Sequence, residues 1–211
     1  MANYKSLFIL GDDMKILSFS DVHARMPIVY KLLEKAKRAD VLICAGDMSN
    51  FGSGLKSSIQ MLNKSGKPIL ILHGNHESEE DIKELAQQFP RVINIHKKMV
   101  VIGDYVFFGY GGGGFSSIEE GMEKFAIQLR RKIPAGKKIV FITHAPPYNT
   151  DLDYLPWLEE HRGCKSTVKV IKMIKPHLVI CGHLHETAGK SCHLGKTLLL
   201  NAGWNGKIVE L

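Results

Sequence analysis

One pattern recurs five times along the chain: a short run of apolar residues ends abruptly in polar side chains that can bind metal. Continuous apolar runs of four or five residues bounded by turn signals are typical of buried β-strands. The five runs with their polar continuations are 16–19 before Ser20-Asp21-Val22-His23, 41–44 before Gly46-Asp47, 69–72 before Gly74-Asn75-His76-Glu77, 139–142 before Thr143-His144, and 178–181 before Gly182-His183-Leu184-His185. The chain therefore places its chemistry at the ends of buried strands.

Segments with helical periodicity separate these runs, and the alternation of strand and helix predicts an α/β fold. The predicted helices cover residues 26–39, 55–63, 79–88, 117–132 and 166–174. Residues 94–110 are predicted as strands, with Gly103-Asp104 as a hairpin turn. After His185 the helical period gives way to short alternating runs at 197–200 and 207–210, which we expect to be closing antiparallel strands.

The length of 211 residues fits one domain. We expect this domain to cover residues 14–211, because the run that follows Met14 makes a natural first strand. Residues 1–13 are then an N-terminal extension, either an appendage or an added edge strand. No apolar stretch approaches 18 residues, so we expect no membrane association and a cytoplasmic location. The sequence leaves the oligomeric state open.

The chain is basic, with a net charge of +7, and such a charge favours phosphate-bearing partners. The lysines are dispersed over the predicted helices, and no block of five like charges occurs. Nucleic-acid binding is therefore an alternative with the overall charge as its only support. The four cysteines form no C-x-x-C pair, and Cys44 and Cys181 lie in apolar runs where a buried thiol is expected.

The polar strand ends predict a metal centre. Ligands gather at the carboxyl ends of strands in open α/β sheets, so we expect the five strand ends to converge on one crevice. Five of the ten histidines lie there beside two aspartates and an asparagine. Carboxylate oxygens and imidazole nitrogens together suit divalent ions such as Mn, Fe or Zn. These residues are Asp21, His23, Asp47, Asn75, His76, His144, His183 and His185.

Two pairs in this set, Asp21-x-His23 and His183-x-His185, have their members two residues apart. On an extended segment both side chains of such a pair point the same way. We therefore expect each pair to hold ions from one side. Glu77 follows His76 and is expected to orient that histidine or the backbone rather than to bind metal.

The series Asp21-x-His23, Gly46-Asp47, Gly74-Asn75-His76-Glu77, His144 and Gly182-His183-x-His185 resembles the calcineurin-like metallophosphoesterase superfamily. All five blocks occur in order between residues 21 and 185. Asn50-Phe51-Gly52, the glycine run 111–114 and Thr143-His144-Ala145-Pro146-Pro147 are similar to small Icc-type predicted phosphohydrolases of archaea and bacteria. The resemblance implies one domain with a two-sheet β-sandwich flanked by helices, and with metals at the edge of the sandwich.

The resemblance also implies a role for each residue. Two ions close together lower the pKa of a bridging water and hold the phosphoryl oxygens for attack. Mn is the expected metal, with Fe, Zn, Ni or Mg as other candidates. His76 would protonate the leaving oxygen, a task for a side chain that titrates near neutral pH. The implied ligands are Asp21, His23 and His185 for one ion, Asn75, His144 and His183 for the other, and Asp47 as the bridge.

The chain also departs from some members of the superfamily. Gly46-Asp47 is not continued by the Asp-Arg-Gly of protein Ser/Thr phosphatases, and no tyrosine stands where purple acid phosphatases bind ferric iron. Ala24 and Arg25 follow the first motif where several relatives have glycine. Arg25 is a candidate contact for a substrate phosphate, and a solvated loop residue is the alternative.

A phosphoester is the expected substrate, and hydrolysis of a phosphodiester is the leading hypothesis for function. Enzymes for monoesters usually neutralise the extra negative charge with several arginines, and only Arg25 lies near a motif. The alternatives are a catalytically weak scaffold and a nucleic-acid-processing subunit with the same fold. The segment 146–164 either covers the site and selects the substrate or forms an ordered surface loop. The glycine run is either a flexible loop at the site or a simple connection.

Overall fold

The computed structural model describes residues 14–211, and the predicted extension 1–13 lies outside the described residues. The described residues form one domain with thirteen strands and five α-helices. The helices are α1 (Met26–Ala36), α2 (Leu55–Asn63), α3 (Glu79–Gln88), α4 (Glu120–Arg130) and α5 (Lys165–Ile174). The strands are β1 (Lys15–Phe19), β2 (Val41–Cys44), β3 (Ile69–Ile71), β4 (Val92–Asn94), β5 (Lys98–Ile102), β6 (Tyr105–Tyr110), β7 (Lys138–Thr143), β8 (Tyr154–Leu155), β9 (Glu160–His161), β10 (Leu178–Cys181), β11 (Ser191–Leu194), β12 (Thr197–Asn201) and β13 (Lys207–Glu210).

Two mixed sheets carry the fold. The first has the strand order β13-β1-β2-β3-β4, and β1 to β4 run parallel while β13 is antiparallel to β1. The second has the order β11-β12-β10-β7-β6-β5, with β12, β10, β7 and β6 parallel and an antiparallel strand at each edge. Strands β8 and β9 form a separate small hairpin.

The alternation of side chains along the strands produces four layers. On β2, Val41 and Ile43 pack between the two sheets, whereas Leu42 and Cys44 pack against α1 and α2. On β7, Val140 faces the other sheet. The opposite face of the second sheet packs on α4 and α5. The order of layers is therefore helices, sheet, sheet, helices, and the predicted two-sheet sandwich flanked by helices is confirmed.

Local sequence signals set the helix ends. Ser78 caps α3 in a reciprocal capping box with Asp81, and each side chain accepts a hydrogen bond from the other residue's backbone N–H. Pro27 lies in the first turn of α1, where its missing N–H costs no helical hydrogen bond. The predicted bounds of α2 and α3 are confirmed, whereas α1 and α4 are shorter than predicted.

The chain after residue 185 differs from the prediction. β13 is antiparallel to β1 as expected, but β12 runs parallel to β10. The reason is β11, which the sequence analysis missed: it reverses the chain direction before β12 and pairs with it as an antiparallel hairpin. β11 alternates exposed and half-buried residues, so it lacks the apolar run that marks the other strands. The hairpin turn at Gly103-Asp104 between β5 and β6 is confirmed.

The packing of the two sheets brings their strand ends to one edge. The loop after β1 bonds to the loop after β2, since Asp21 N donates to Gly46 O at 3.1 Å and His23 N donates to Asp47 O at 3.1 Å. In the second sheet, Gly182 N after β10 donates to His144 O after β7 at 2.9 Å. Within residues 14–211, no helix combines the length and the apolar character needed to cross a bilayer.

Candidate metal centre

The structure brings all eight predicted metal-centre residues together at this edge. Their ligand atoms form three overlapping groups, and within each group the atoms lie within 4.8 Å of one another. The groups are Asp21 with His23 and His185, Asp47 with His144 and His183, and His23 with Asp47 and His76. Asn75 Oδ1 joins the second group, 3.0 Å from His144 Nε2 and 3.0 Å from His183 Nδ1.

We name Asp21, His23 and His185 the open group, because the His185 side chain is 48% exposed. His23 Nε2 lies 3.2 Å from His185 Nε2, which lies 3.6 Å from Asp21 Oδ1. The hydrogen bond to Asp21 raises the pKa of His185 above its ordinary value. Asp21 itself is buried, and both of its carboxylate oxygens accept from His183 N.

We name Asp47, Asn75, His144 and His183 the buried group. His144 is fully buried and donates from Nδ1 to Ala45 O at 2.8 Å, so its Nε2 faces Asp47 Oδ2 at 3.4 Å. A metal-binding histidine is usually oriented in this way, by a hydrogen bond that its other ring nitrogen donates. Burial alone would lower the pKa of His144, but the hydrogen bond and charge of Asp47 raise it to about 9.

The same charges act on the neighbours of His144. Burial would raise the pKa of Asp47, but the contact with His144 and the hydrogen bond from His76 N hold it well below its usual range. Burial and the charge of His144 lower the pKa of His183 to about 4. Asp47 is therefore a carboxylate at neutral pH, and His183 is a neutral imidazole with a lone pair to offer.

Four of the predicted ligands have left-handed backbone conformations. The φ angles are 56° at Asp21, 50° at His23, 53° at Asp47 and 70° at His183. Residues other than glycine rarely adopt this region, and where it occurs it clusters at functional sites. The extended backbone expected for Asp21-x-His23 and His183-x-His185 is therefore wrong.

The two pairs consequently behave differently. Asp21 and His23 lie in the same group, as expected from their spacing. His183 lies in the buried group and His185 in the open group, so this pair is split. The split arises because His183 is left-handed and His185 begins a short 3₁₀ helix, His185–Thr187.

Glu77 holds the loops that carry the buried group. Its carboxylate accepts from Asp47 N at 3.0 Å, Ser49 N at 2.6 Å, Ser49 Oγ at 2.7 Å and Gly74 N at 3.1 Å. The prediction that Glu77 orients the backbone is confirmed. Gly74 also has to be glycine, because a Cβ there would lie 2.8 Å from Asp47 Cγ.

His76 lies between the two groups, with 17% of its side chain exposed. Its Nε2 faces Asp47 Oδ2 at 3.9 Å, and its Nδ1 accepts a long hydrogen bond of 3.4 Å from Phe51 N. The Phe51 ring stacks on the imidazole at 4.0 Å between ring centroids, and Phe51 is 77% exposed. His76 thus presents Nε2 to the centre while its other nitrogen contacts the Phe51 loop.

Arg25 contacts the loop that carries the open group. Its Nε donates to Val22 O at 2.9 Å, and its Nη2 donates to Asp21 O at 2.7 Å. The guanidinium lies 5.1 Å from the centroid of the Trp204 ring, which in turn meets His185 edge to face at 5.6 Å. The substrate contact expected of Arg25 stays a prediction.

Three aromatic residues lie at the centre to which the sequence analysis assigned no role there. Each contacts a different histidine: Phe51 meets His76, Trp204 meets His185, and Phe115 meets His183 at 5.0 Å between ring centroids. Phe51 and Phe115 each lie beside glycines in loops that otherwise carry few apolar residues. A large aromatic residue in such a loop is the signal that could have identified them.

The donor atoms fit divalent cations. Two nitrogens bound about 2.1 Å from one ion, at tetrahedral or octahedral angles, lie roughly 3.0 to 3.4 Å apart. The distance of 3.2 Å between His23 Nε2 and His185 Nε2 falls in this range, and the two 3.0 Å contacts of Asn75 Oδ1 lie at its lower limit. Each group supplies oxygen and nitrogen atoms, so the arrangement can hold ions of the Mn, Fe or Zn type.

A model of the calcineurin-like phosphoesterase family matches residues 14–187. The chain belongs to this family. The fold and the clustered histidines and aspartates agree with this match, which covers most of the chain. The resemblance that the five motifs indicated is confirmed. Membership establishes the family of metal-dependent phosphoesterases, and it leaves the preferred ester and the metal open.

Similar proteins include one relative and two solved structures. The uncharacterized protein MJ1162 of Methanocaldococcus jannaschii is 31% identical over 196 residues, covering 89% of this chain and 87% of the relative. A dimetal phosphatase from Danio rerio has a TM-score of 0.65 at 10% identity, covering 89% of this chain and 86% of that one. A novel archaeal phosphodiesterase has a TM-score of 0.52 at 18% identity, covering 94% and 100%. These two structures share the fold.

Proposed function

We propose that this protein is a dinuclear metal-dependent phosphoesterase that prefers phosphodiesters. The open group would hold one ion and the buried group the other, with Asp47 as the carboxylate shared between them. When bound, such ions lower the pKa of a water molecule and neutralise charge on the phosphoryl oxygens. His76 would donate a proton to the leaving oxygen from Nε2, the nitrogen that faces Asp47.

The observation that carries this proposal is the position of Asp47. Asp47 is a member of the buried group, and its carboxylate also clusters with His23, which is a member of the open group. Asp47 therefore lies next to both proposed ion positions. Asp47 is buried, and its carboxylate is ionised at neutral pH because its pKa is lowered. A buried carboxylate needs positive charge nearby, and cations on either side of Asp47 would supply it.

Two observations support a diester as the substrate. Arg25 follows the first motif, and two of its nitrogens already donate to backbone carbonyls, which leaves the guanidinium poorly placed to neutralise a dianionic monoester. An archaeal phosphodiesterase shares the fold. A dimetal phosphatase shares the fold as well, so an assay has to decide between the two ester classes. The Mn identity and the cytoplasmic location also stay predictions.

The test uses the purified chain reconstituted with Mn. We expect about two ions per chain by elemental analysis, and a higher kcat/KM for bis(p-nitrophenyl) phosphate than for p-nitrophenyl phosphate. Asp47→Asn should lower the ion count, because the bridge then lacks the charge that it supplies to both ions. The matched control is Asp104→Asn, an exposed carboxylate that pairs with Lys137 in the hairpin turn.

Each contrary result has a distinct meaning. A reversed ranking of the two nitrophenyl esters would place the protein with the monoesterases. Two ions still bound to Asp47→Asn would remove Asp47 as the bridge. Bound metal without hydrolysis of any ester would favour the scaffold alternative.

A further inference from the structure

A cavity of about 550 Å³ opens beside the metal centre, and nothing in the proposed chemistry uses it. Its volume falls within the range of small-molecule sites. We name it the side cavity. It is lined by Phe115, Ser117, Tyr148, Glu159, Glu160, His161, Arg162, Gly163 and Lys165.

Phe115 connects the side cavity to the metal centre. Its ring lines the cavity and also meets the ring of His183, a member of the buried group, at 5.0 Å. The loop approaches the centre closely at the preceding residue, because a Cβ on Gly114 would lie 2.8 Å from His183 Cε1 and 2.9 Å from Asn75 Oδ1. A phosphoester held at the buried group therefore has one ester substituent within reach of Phe115.

Phe115 is also 86% exposed, the largest exposed fraction among the large apolar side chains of residues 14–211. Covering an aromatic ring that is exposed to water at the mouth of a cavity with another apolar surface is favourable, because it removes apolar area from water. Flat rings cover a phenyl ring best, and stacking on an aromatic side chain is a general way to bind bases.

Backbone contacts preform the side cavity. Lys165 N donates to Ser117 O at 2.8 Å, and Glu119 N donates to Ser166 Oγ at 3.0 Å, so the Phe115 loop is tied to the start of α5. Cys164 N donates to Pro146 O at 2.8 Å, which closes the base of the loop 146–164. A preformed cavity loses little entropy on binding.

The wall of the cavity is polar as well as aromatic. The buried Asp153 accepts from His161 Nδ1 at 2.8 Å, which fixes the orientation of the imidazole. Arg162 pairs with Glu160, and Lys165 lies 4.9 Å from the centroid of the Tyr148 ring. A purely aliphatic group would remove water from these donors and acceptors without replacing their hydrogen bonds, which is costly. A ring with polar edges would replace them.

We propose that the side cavity binds the second ester substituent of a phosphodiester, and that this substituent carries a planar heteroaromatic ring of the nucleobase type that stacks on Phe115. This inference rests on the proposed phosphodiesterase function and adds its substrate class. The residues that select the substrate are then on the loops 111–119 and 146–164, apart from the ligands that carry the chemistry.

The test holds the leaving group constant and changes only the other substituent. The Mn-loaded protein is assayed on methyl p-nitrophenyl phosphate, n-hexyl p-nitrophenyl phosphate and thymidine 5′-(p-nitrophenyl) phosphate. We expect the highest kcat/KM for the thymidine ester. Phe115→Ala should lower the ratio of kcat/KM for the thymidine ester to that for the methyl ester by roughly 5- to 150-fold, the range that follows from loss of one base-stacking contact.

Trp157→Ala is the matched control, since Trp157 is an exposed aromatic residue of loop 146–164 that does not line the cavity. It should leave the ratio unchanged, and circular dichroism checks that both variants fold. An unchanged ratio in Phe115→Ala, or equal kcat/KM for the hexyl and thymidine esters, would overturn the inference while the phosphodiesterase function stands. Failure of the wild-type protein on all three esters would overturn the proposed function itself.

Discussion

The buried and open groups of the candidate metal centre differ in how firmly the protein holds them. In the buried group, the side chains of His144 and Asp47 are 0% and 3% exposed, and Ala45 O and the Glu77 carboxylate fix their positions. In the open group, His185 is half exposed, and the supporting contacts come from His183 N, which donates to the Asp21 carboxylate, and from Arg25, itself a surface residue. Ligands that are held in place before binding bind metal more tightly. We therefore expect the buried group to bind its ion more tightly than the open group does.

His76 lies between the two groups, and we expect it to bind neither ion. Each group has a full set of ligands without it, so His76→Ala should retain two ions while kcat for a diester with an alkoxide leaving group falls by roughly 10²- to 10⁴-fold. The loss should be smaller for a nitrophenolate leaving group, which departs without protonation. The measurements are metal content and kcat on both substrates.

The same variant can contradict the comparison. A lower ion count would show that His76 is a ligand, which its place in a group with His23 and Asp47 allows. Equal losses on both substrates with metal retained would make it a phosphate-binding residue. The bond from Phe51 N to Nδ1 is compatible with that role, because it leaves Nε2 as the ring nitrogen that faces the centre.

A second prediction weakens only the buried group. Glu77→Gln replaces one carboxylate oxygen by an NH₂ group that must face backbone N–H donors at Asp47, Ser49 or Gly74. We expect the affinity of the buried group to fall by roughly 10- to 100-fold, the usual effect of a change next to a ligand, with the open group little affected. Mn titration followed by calorimetry should resolve the two sites.

The control is Glu34→Gln, the same exchange at an exposed residue of α1 that pairs with Lys37. A surface pair of this kind contributes little to stability. If Glu77→Gln weakened both groups equally, the two groups would act as one unit, and the distinction between them would be wrong.

The sequence predicts which residues form the two groups, but it does not predict how they divide between the groups. The buried strands and their polar ends predicted every member of both groups, because an apolar run followed by a ligand is a local pattern. The assignment of His183 and His185 to different groups could not be predicted from their spacing, since it depends on a left-handed backbone at His183. That conformation is imposed by contacts from distant parts of the chain, such as the bond from His183 N to Asp21.

The parts of the fold that the sequence analysis missed have no local periodicity. β11 has no apolar run, and it is held by its pairing with β12. Phe115 and Trp204 lie in irregular loops, where neither helical nor strand patterns mark a residue as functional. Chemistry that follows a buried strand is therefore visible in the sequence, whereas the surfaces that would select a substrate become visible only when loops distant in sequence are seen side by side.

The smallest expected effect concerns the open group. Arg25 uses two nitrogens of its planar guanidinium to bind Asp21 O and Val22 O, and Lys has a single nitrogen that cannot reproduce this fork. Arg25→Lys should weaken the open group by less than about tenfold, below the range for the buried Glu77, because Arg25 is at the surface. Arg38→Lys, at an exposed residue after α1, is the control. The same titration reports ion affinity, and KM for bis(p-nitrophenyl) phosphate reports substrate binding. A raised KM with unchanged ion affinity would instead support the substrate contact predicted from the sequence, and the open group would then have to be held by Asp21 and its bonds to His183 N alone.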